Sequence, residues 1–300
     1  MKVAVVGATG ETGGSIINGL LEHPFPFSSA NEALRARGIN VQPLDLTGDH
    51  AAIVTALTGV ETLISAVNFA GLVSEPALAA AAKTAGNVLV LRDVKEDNLN
   101  HIKKLRLPYT VLDIGWWYQG TLPLLPSKRN AYAHVGTPNL IVGTGTVKSA
   151  HSDLADVGRL LARVILDSRT LNKSVFGFGE LISQTEVYDI FDRLSGETIP
   201  RTYIDEETIV RDLDTPPDGE FGSPEWFKRM QYEYWHSWGV RGDNTPEMAR
   251  YLGYLDAREL YPDFKPRPLE EYVKEVLAGK AKVIYAEMRA AIAGSLSEAE

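Results

Sequence analysis

The chain contains no cysteine, which excludes disulfides, thiolate metal sites and cysteine nucleophiles and leaves no need for an oxidising compartment. No apolar run approaches the roughly 20 residues of a membrane-spanning helix, so no membrane partner is expected. Basic residues are in the minority: 30 Lys and Arg stand against 39 Asp and Glu, a net charge of −9 that argues against a nucleic-acid footprint. Histidine is scarce, and His134, His151 and His236 are isolated, with no HxxxH or HExxH spacing. Neither a metal site nor a hydrolase triad is predicted. A charged leader with a cleavage site is also missing from the start, so the expected location is cytoplasmic. The 300 residues are enough for one large α/β domain or for a nucleotide domain with a smaller substrate lobe.

What is present begins at the second residue. Lys2 to Val6 is a short β-branched run that breaks into Gly7-Ala8-Thr9-Gly10-Glu11-Thr12-Gly13, glycines at GxxGxxG spacing, and Ser15 to Leu21 continues with a helical pattern. Strand, glycine loop and helix in that order form a dinucleotide cradle. Gly7 permits the turn off the strand, Gly10 lets the backbone approach a pyrophosphate, and Gly13 lets the helix pack closely on the strand. The helix start then offers N–H groups to the phosphates. Gly7, Thr9, Gly10, Glu11, Thr12 and Gly13 are therefore the expected pyrophosphate residues.

Further along, strand and helix signals alternate. Strands are predicted at Val41–Leu44, Thr62–Val67, Tyr109–Ile114 and Lys173–Phe178, and helices at His50–Leu57, Glu75–Ala85 with Gly86 as its stop, Val94–Leu105, His151–Leu166 and Ser183–Leu194. This is the pattern of a doubly wound parallel-sheet α/β domain. Asp45 and Leu46 lie where such a domain touches the adenine edge. Ala66, Val67 and Asn68 follow a strand where the chain passes the cofactor's ribose and nicotinamide. After about residue 200 the composition changes, with aromatics from Phe221 to Trp238 and frequent prolines. The expected division is residues 1–166 as nucleotide domain and 167–300 as a smaller α/β C-terminal substrate lobe, with exchange of segments between the two. For the aromatics between Glu225 and Trp238, core packing along a helix and a cage for a flat substrate both fit the spacing.

Gly7 to Gly13, Leu44-Asp45-Leu46-Thr47-Gly48, Ile64-Ser65-Ala66-Val67, Leu107-Pro108-Tyr109-Thr110 and Asp156-Val157-Gly158 resemble, in that order, the NmrA-like and isoflavone-reductase-like branch of atypical short-chain dehydrogenases, with a tail similar to its fungal members. The resemblance implies a Rossmann domain binding NADP(H) and a small C-terminal substrate lobe. It also implies a catalytic Lys early in the helix before the Pro-Tyr-Thr strand, and counting back from Pro108 that position is Lys95. Lys95 would bind the nicotinamide ribose and deliver a proton. The Tyr261/Lys265 pair has the YxxxK spacing of other short-chain dehydrogenases, but Pro262 and Pro266 oppose a helix there.

Two departures from the family pattern stand out. His23 to Phe27 runs into Ser28 where the family has a strand ending in an Arg for the 2′-phosphate, and Asn87 to Arg92 leads directly toward the next helix. The chain is therefore expected to lack segments near 27/28 and 87/88, by deletion or by omission from the sequence as written. Arg35 and Arg37 lie near the first of these and read equally as 2′-phosphate contacts or as surface residues. Gly115-Trp116-Trp117-Tyr118 leaves a strand at its carboxyl end, which makes Trp116, Trp117 and Tyr118 the expected substrate wall.

The function expected is an NADPH-dependent reductase of a bulky small molecule such as an enone, imine or aromatic specialised metabolite. Alternatives are a redox-neutral NADP(H)-binding enzyme catalysing a cyclisation or condensation, and a non-catalytic NmrA-type redox sensor with a protein partner. Oligomeric state is left open.

Overall fold

The structure, a computed structural model, describes residues 2–21, 34–36, 38–67, 69–92, 96–135, 139–214 and 223–286. The chain folds into two compact units, one made of Met1–Ile114, Leu154–Gly177 and Leu252–Phe264, the other of Gly115–Asp153, Phe178–Tyr251 and Lys265–Glu300. The division interleaves along the sequence.

The first unit is built on a parallel sheet. Its strands are β1 (Val3–Val6), β2 (Thr62–Ser65), β3 (Val88–Arg92), β4 (Tyr109–Asp113), β8 (Lys173–Phe176) and β11 (Leu255–Asp256), in that spatial order. Each neighbour pairs in parallel, Val6 opposite Ser65 and Leu112 opposite Val175 among others. The crossovers are helical: α1 (Glu11–Leu21), α2 (His50–Leu57), α3 (Glu75–Ala85), α4 (Glu96–Leu105) and α5 (Leu154–Val164). Ile53, Leu57, Leu63, Leu78, Ile102 and Leu107 meet in one buried cluster, the apolar stripes of α2, α3 and α4 closing over β2. Local chemistry sets the ends: the Asp49 side chain caps α2, and Gly86 ends α3 at φ 80°.

Two expectations fail here. Val41–Leu44 is not a strand; it runs unpaired to the turn at Leu46, since its alternation finds no neighbouring ladder among the described residues. Val88–Arg92, by contrast, is a full strand between β2 and β4, supplying the element that seemed missing between α3 and α4. The predicted break near 27/28 lies outside the described residues.

Helices α1 and α5 touch backbone to backbone. A Cβ on Gly158 would stand 1.8 Å from the Ser15 carbonyl oxygen, and one on Gly19 would stand 2.1 Å from the Gly158 carbonyl carbon. The Ser15 hydroxyl ties the pair, donating to the Leu154 carbonyl at 2.5 Å and accepting from the Gly158 N–H at 3.0 Å. The helix predicted from His151 starts later, because His151 and Ser152 belong to a strand.

In the second unit, β5 (Trp116–Trp117), β7 (Lys148–Ser152) and β9 (Glu180–Ser183) form one small sheet, and β6 (Leu140–Val142) pairs with β10 (Thr202–Ile204) in another. Helix α6 (Gln184–Ser195) starts on a capping box between Ser183 and Glu186. It packs with α11 (Leu269–Leu277) around Tyr118, Ile141, Phe191, Ile199 and Val273. Beyond α7 (Glu206–Asp214), α8 (Pro224–Tyr234) runs into a π-helical turn, Trp235–Arg241, that Gly242 ends at φ 71°. None of the residues of α8 is fully buried, so its aromatics do not form the core of the unit. Helix α11 ends at Leu277, and residues 287–300 lie outside the described residues.

Candidate functional site

Within the first unit, the carboxyl ends of β1 and β2 meet at the glycine loop. The Ala66 N–H donates to the Val6 carbonyl at 2.9 Å, and the Gly10 N–H donates to the Gly7 carbonyl at 3.1 Å, folding the loop into a tight turn. Gly7 has φ 80°, and a Cβ there would lie 2.5 Å from the Ala66 carbonyl oxygen. A Cβ on Gly13 would lie 2.0 Å from the Gly7 carbonyl oxygen, whereas at Gly10 the nearest atom is 3.4 Å away. Gly7 and Gly13 are therefore required by the protein's own packing, and Gly10 is the glycine that opens outward. This is a backbone cradle of the kind that fits a pyrophosphate at a helix start. Thr9 and Gly10 are exposed, Glu11 is half-buried and Thr12 is buried.

Ala66 and Val67 lie half-buried where the loop touches the end of β2. Asn68 and Lys95 lie outside the described residues. Asp45 is exposed, and Thr47 donates to its carboxylate through Oγ1 at 2.7 Å and N–H at 2.8 Å. Those hydrogen bonds, the hydroxyl's first, hold the Asp45 carboxyl below its ordinary range. The residue opens the turn through Leu46 and Thr47, its carbonyl accepting from the Gly48 N–H at 3.3 Å. Arg35 donates to the Val41 carbonyl at 3.3 Å, and Arg37 lies outside the described residues.

One residue beside the cradle escaped sequence reading. Glu75, in the first turn of α3, is 2 % exposed, and its carboxylate accepts from the Ser65 hydroxyl at 2.8 Å and from the Asn98 amide at 3.0 Å. The only sequence signal was an acidic residue opening a helix, a common companion of the helix dipole.

In the second unit, Trp116 sets its ring edge-on to Tyr234 at 5.7 Å and to Trp238 at 5.9 Å, and Trp117 stacks on Tyr285 at 6.4 Å. Asn244 anchors the adjoining chain, its amide donating to the Ser149 hydroxyl at 2.7 Å and the Ala150 carbonyl at 2.9 Å. Trp116 and Trp117 are half-buried. Tyr118 does not fit the expected wall: it is wholly buried, stacked on Tyr272 at 6.3 Å, with its hydroxyl donating to the Arg267 carbonyl at 3.2 Å. It belongs to the core because the chain turns inward after β5.

The histidines have structural settings. His134 contacts the Leu122 carbonyl at 3.0 Å, and burial lowers the His151 pKa to about 4 with its Nδ1 on the Ser149 carbonyl at 2.9 Å. Among the described residues no group of His, Asp and Glu is arranged to hold a metal ion, and no helix is long and apolar enough to cross a membrane. Tyr261 sits just past the short helix α10 (Ala257–Leu260), against the Arg169 guanidinium at 5.9 Å. Burial pushes its hydroxyl well above the ordinary tyrosine range, contrary to what a catalytic Tyr needs.

No family model matches the chain. It is 39% identical over 317 aligned positions to the asnovolin J 5′,6′-dehydrogenase nvfM of Aspergillus novofumigatus (strain IBT 16806), covering 93% of this chain and 96% of that protein. An isoflavone reductase-like protein of Olea europaea is 25% identical, over 91% of this chain and 98% of its own. The binary complex of leucoanthocyanidin reductase with NADPH from Vitis vinifera superposes with a TM-score of 0.72 at 21% identity, over 93% of this chain and 100% of that one, which establishes the fold.

Proposed function

The chain belongs to the isoflavone-reductase-like branch of the NmrA-like atypical short-chain dehydrogenases, and from that premise we propose that it is an NADPH-dependent oxidoreductase of a bulky, oxygenated specialised metabolite. The observation that carries the proposal is the cradle of Gly7, Gly10 and Gly13 closed against Ala66 at the carboxyl ends of β1 and β2. In this reading the loop and the first turn of α1 hold the pyrophosphate, Asp45 and Leu46 border the adenine, and Ala66, Val67 and Asn68 border the ribose and nicotinamide. Bound nicotinamide supplies or accepts the hydride. Lys95 holds the ribose and passes a proton to or from the substrate as charge develops. Trp116 and Trp117 form part of the substrate wall, where half-buried rings offer a large apolar area to a flat or polycyclic molecule.

The family reading also has the chain short of an internal segment near 27/28. Supporting this, the alignment to the fungal relative spans 317 positions, more than the 300 residues available, so it carries gaps on this chain's side. The intact mass of the native protein tests it: 32.9 kDa means true deletions, and a larger mass means additional chain. A cysteine-free protein of this kind suits the reducing cytoplasm.

The deciding experiment is parallel calorimetric titration with NADPH, NADP⁺ and NADH. Tight binding selective for the phosphorylated cofactor supports the proposal, and absence of binding to all of them refutes it. Lys95→Ala should abolish turnover while sparing cofactor binding; unchanged turnover removes Lys95 from the mechanism.

A further inference from the structure

Helix α8 carries aromatic rings that its unit does not bury. None of its residues is fully buried, and Tyr234 at its end is 52 % exposed. The chain then widens into the π-helical turn Trp235–Arg241, a rare geometry that recurs at functional sites. Contacts on two sides clamp this turn. Gly239 lies so close to β6 that a Cβ there would stand 2.6 Å from Val142 Cγ1. The Ser237 hydroxyl donates to the Asp243 carboxylate at 2.9 Å, and the next residue, Asn244, is tied to β7 through Ser149 and Ala150. Strand β7 also pairs with β5, His151 opposite Trp116, so Trp116 and Trp238 are held from the same strand. Their ring centres are 5.9 Å apart, and Tyr234 meets Trp116 edge-on at 5.7 Å. The Trp238 indole N–H is buried with no acceptor among the described residues, and an unpaired buried donor costs stability. Packing alone gives no reason to keep a π-turn, an unpaired N–H and an exposed ring in one place, whereas chains retain such costs where function needs them.

We infer that Tyr234 and Trp238 are specificity-determining residues: with Trp116 they form a preset aromatic surface that selects a flat, unsaturated ring system over a saturated one of similar size. The inference rests on the reading of Trp116 as substrate wall given above. An aromatic or conjugated ring meets these side chains by offset stacking or edge contact, and such a pair is favoured beyond the apolar area it covers. A saturated ring gains only the area. Because the π-turn and the strands fix the rings beforehand, little ordering of side chains opposes binding. One aromatic contact of this kind amounts to roughly three- to tenfold in affinity.

The test measures, by calorimetry on the whole protein with NADP⁺ present, Kd for a naphthyl methyl ketone and for its fully saturated decalin analogue. The wild type should prefer the flat ketone. Tyr234→Leu and Trp238→Leu keep an apolar side chain and remove an aromatic ring; each should weaken the flat ketone roughly three- to tenfold and leave the saturated one within about twofold. If Trp238→Leu does not fold, Tyr234→Leu carries the same expectation, since its ring is 52 % exposed. A wild type that binds neither ketone or does not distinguish them overturns the inference. So does an equal loss of both ketones in the variants with a lower unfolding midpoint, the signature of a merely structural role. NADP⁺ titration of the same preparations reads the cofactor site separately: wild type that does not bind it overturns the cofactor reading, and the ketone preference still decides this inference.

Discussion

Gly158→Ala tests the contact that holds the cradle's helix in place. The new Cβ would lie 1.8 Å from the Ser15 carbonyl oxygen, 2.4 Å from its carbon and 2.9 Å from the Ile16 nitrogen. All of these are backbone atoms, so no rotamer change relieves the clash. Restoring ordinary contact requires α1 and α5 to separate by about 1.6 Å, which forfeits much of the dispersion between them. It also stretches both hydrogen bonds of the Ser15 hydroxyl, each worth about 1 kcal/mol. Overpacking costs about 3 kcal/mol at the upper end of its usual range, against which alanine's better helix propensity returns about 1 kcal/mol. With the weakened hydrogen bonds, the net loss is about 3 kcal/mol. At about 2 to 4 °C per kcal/mol for a body of this size, thermal unfolding should fall by roughly 6 to 12 °C. Because α1 carries the glycine loop at its start, NADPH affinity should fall severalfold as well. Differential scanning calorimetry and a parallel NADPH titration read both effects. A midpoint within about 2 °C of the parent would refute the reasoning, showing that the helices have slack the close approach denies.

Gly7→Ala should weaken NADPH binding more than tenfold, because φ 80° and a Cβ 2.5 Å from the Ala66 carbonyl distort the cradle itself; calorimetry checks this. His151 is wholly buried with its pKa lowered from 6.5 to about 4, so it stays neutral in the folded protein while the unfolded chain takes up a proton as pH falls below 6.5. Its contribution is intact above pH 6.5 and is lost between there and about pH 4, on the order of 3 kcal/mol, so His151→Gln should flatten the fall of the unfolding midpoint in that window. Arg267→Ala takes an ion-pair partner at 3.1 Å from Asp153, whose side chain is 2 % exposed, and should cost about 3 kcal/mol in urea unfolding, with Asp153→Asn in the same background recovering part of it. Trp116→Ala removes both edge-to-face contacts, to Tyr234 and Trp238, and should raise KM for the substrate severalfold while leaving the NADPH Kd within about twofold.

Much of this protein is written in short stretches of its sequence. The strand Val3–Val6, the glycine loop and α1 form one local unit whose turn chemistry needs no distant partner, and the ends of α2 and α3 follow from Asp49 and Gly86 in the same way. Apolar runs at 62–65, 109–113 and 173–176 marked strands because a sheet covered on both faces asks for continuous β-branched and apolar residues. Long-range contact decided the rest. Val41–Leu44 has no strand neighbour among the described residues, whereas Val88–Arg92 finds β2 and β4 on its two sides. Tyr118 and Trp116 are two residues apart, a spacing that would put them on one face of a continuing strand, yet one enters the core against Tyr272 and the other meets Tyr234 and Trp238, since β5 ends at Trp117 and the chain turns at Tyr118. Glu75 reads in sequence as a solvated helix start. The approach of Ser65 and Asn98, from different elements, makes it a buried carboxyl at the sheet's carboxyl edge, because burial is a property of what packs around a residue and not of the residue itself.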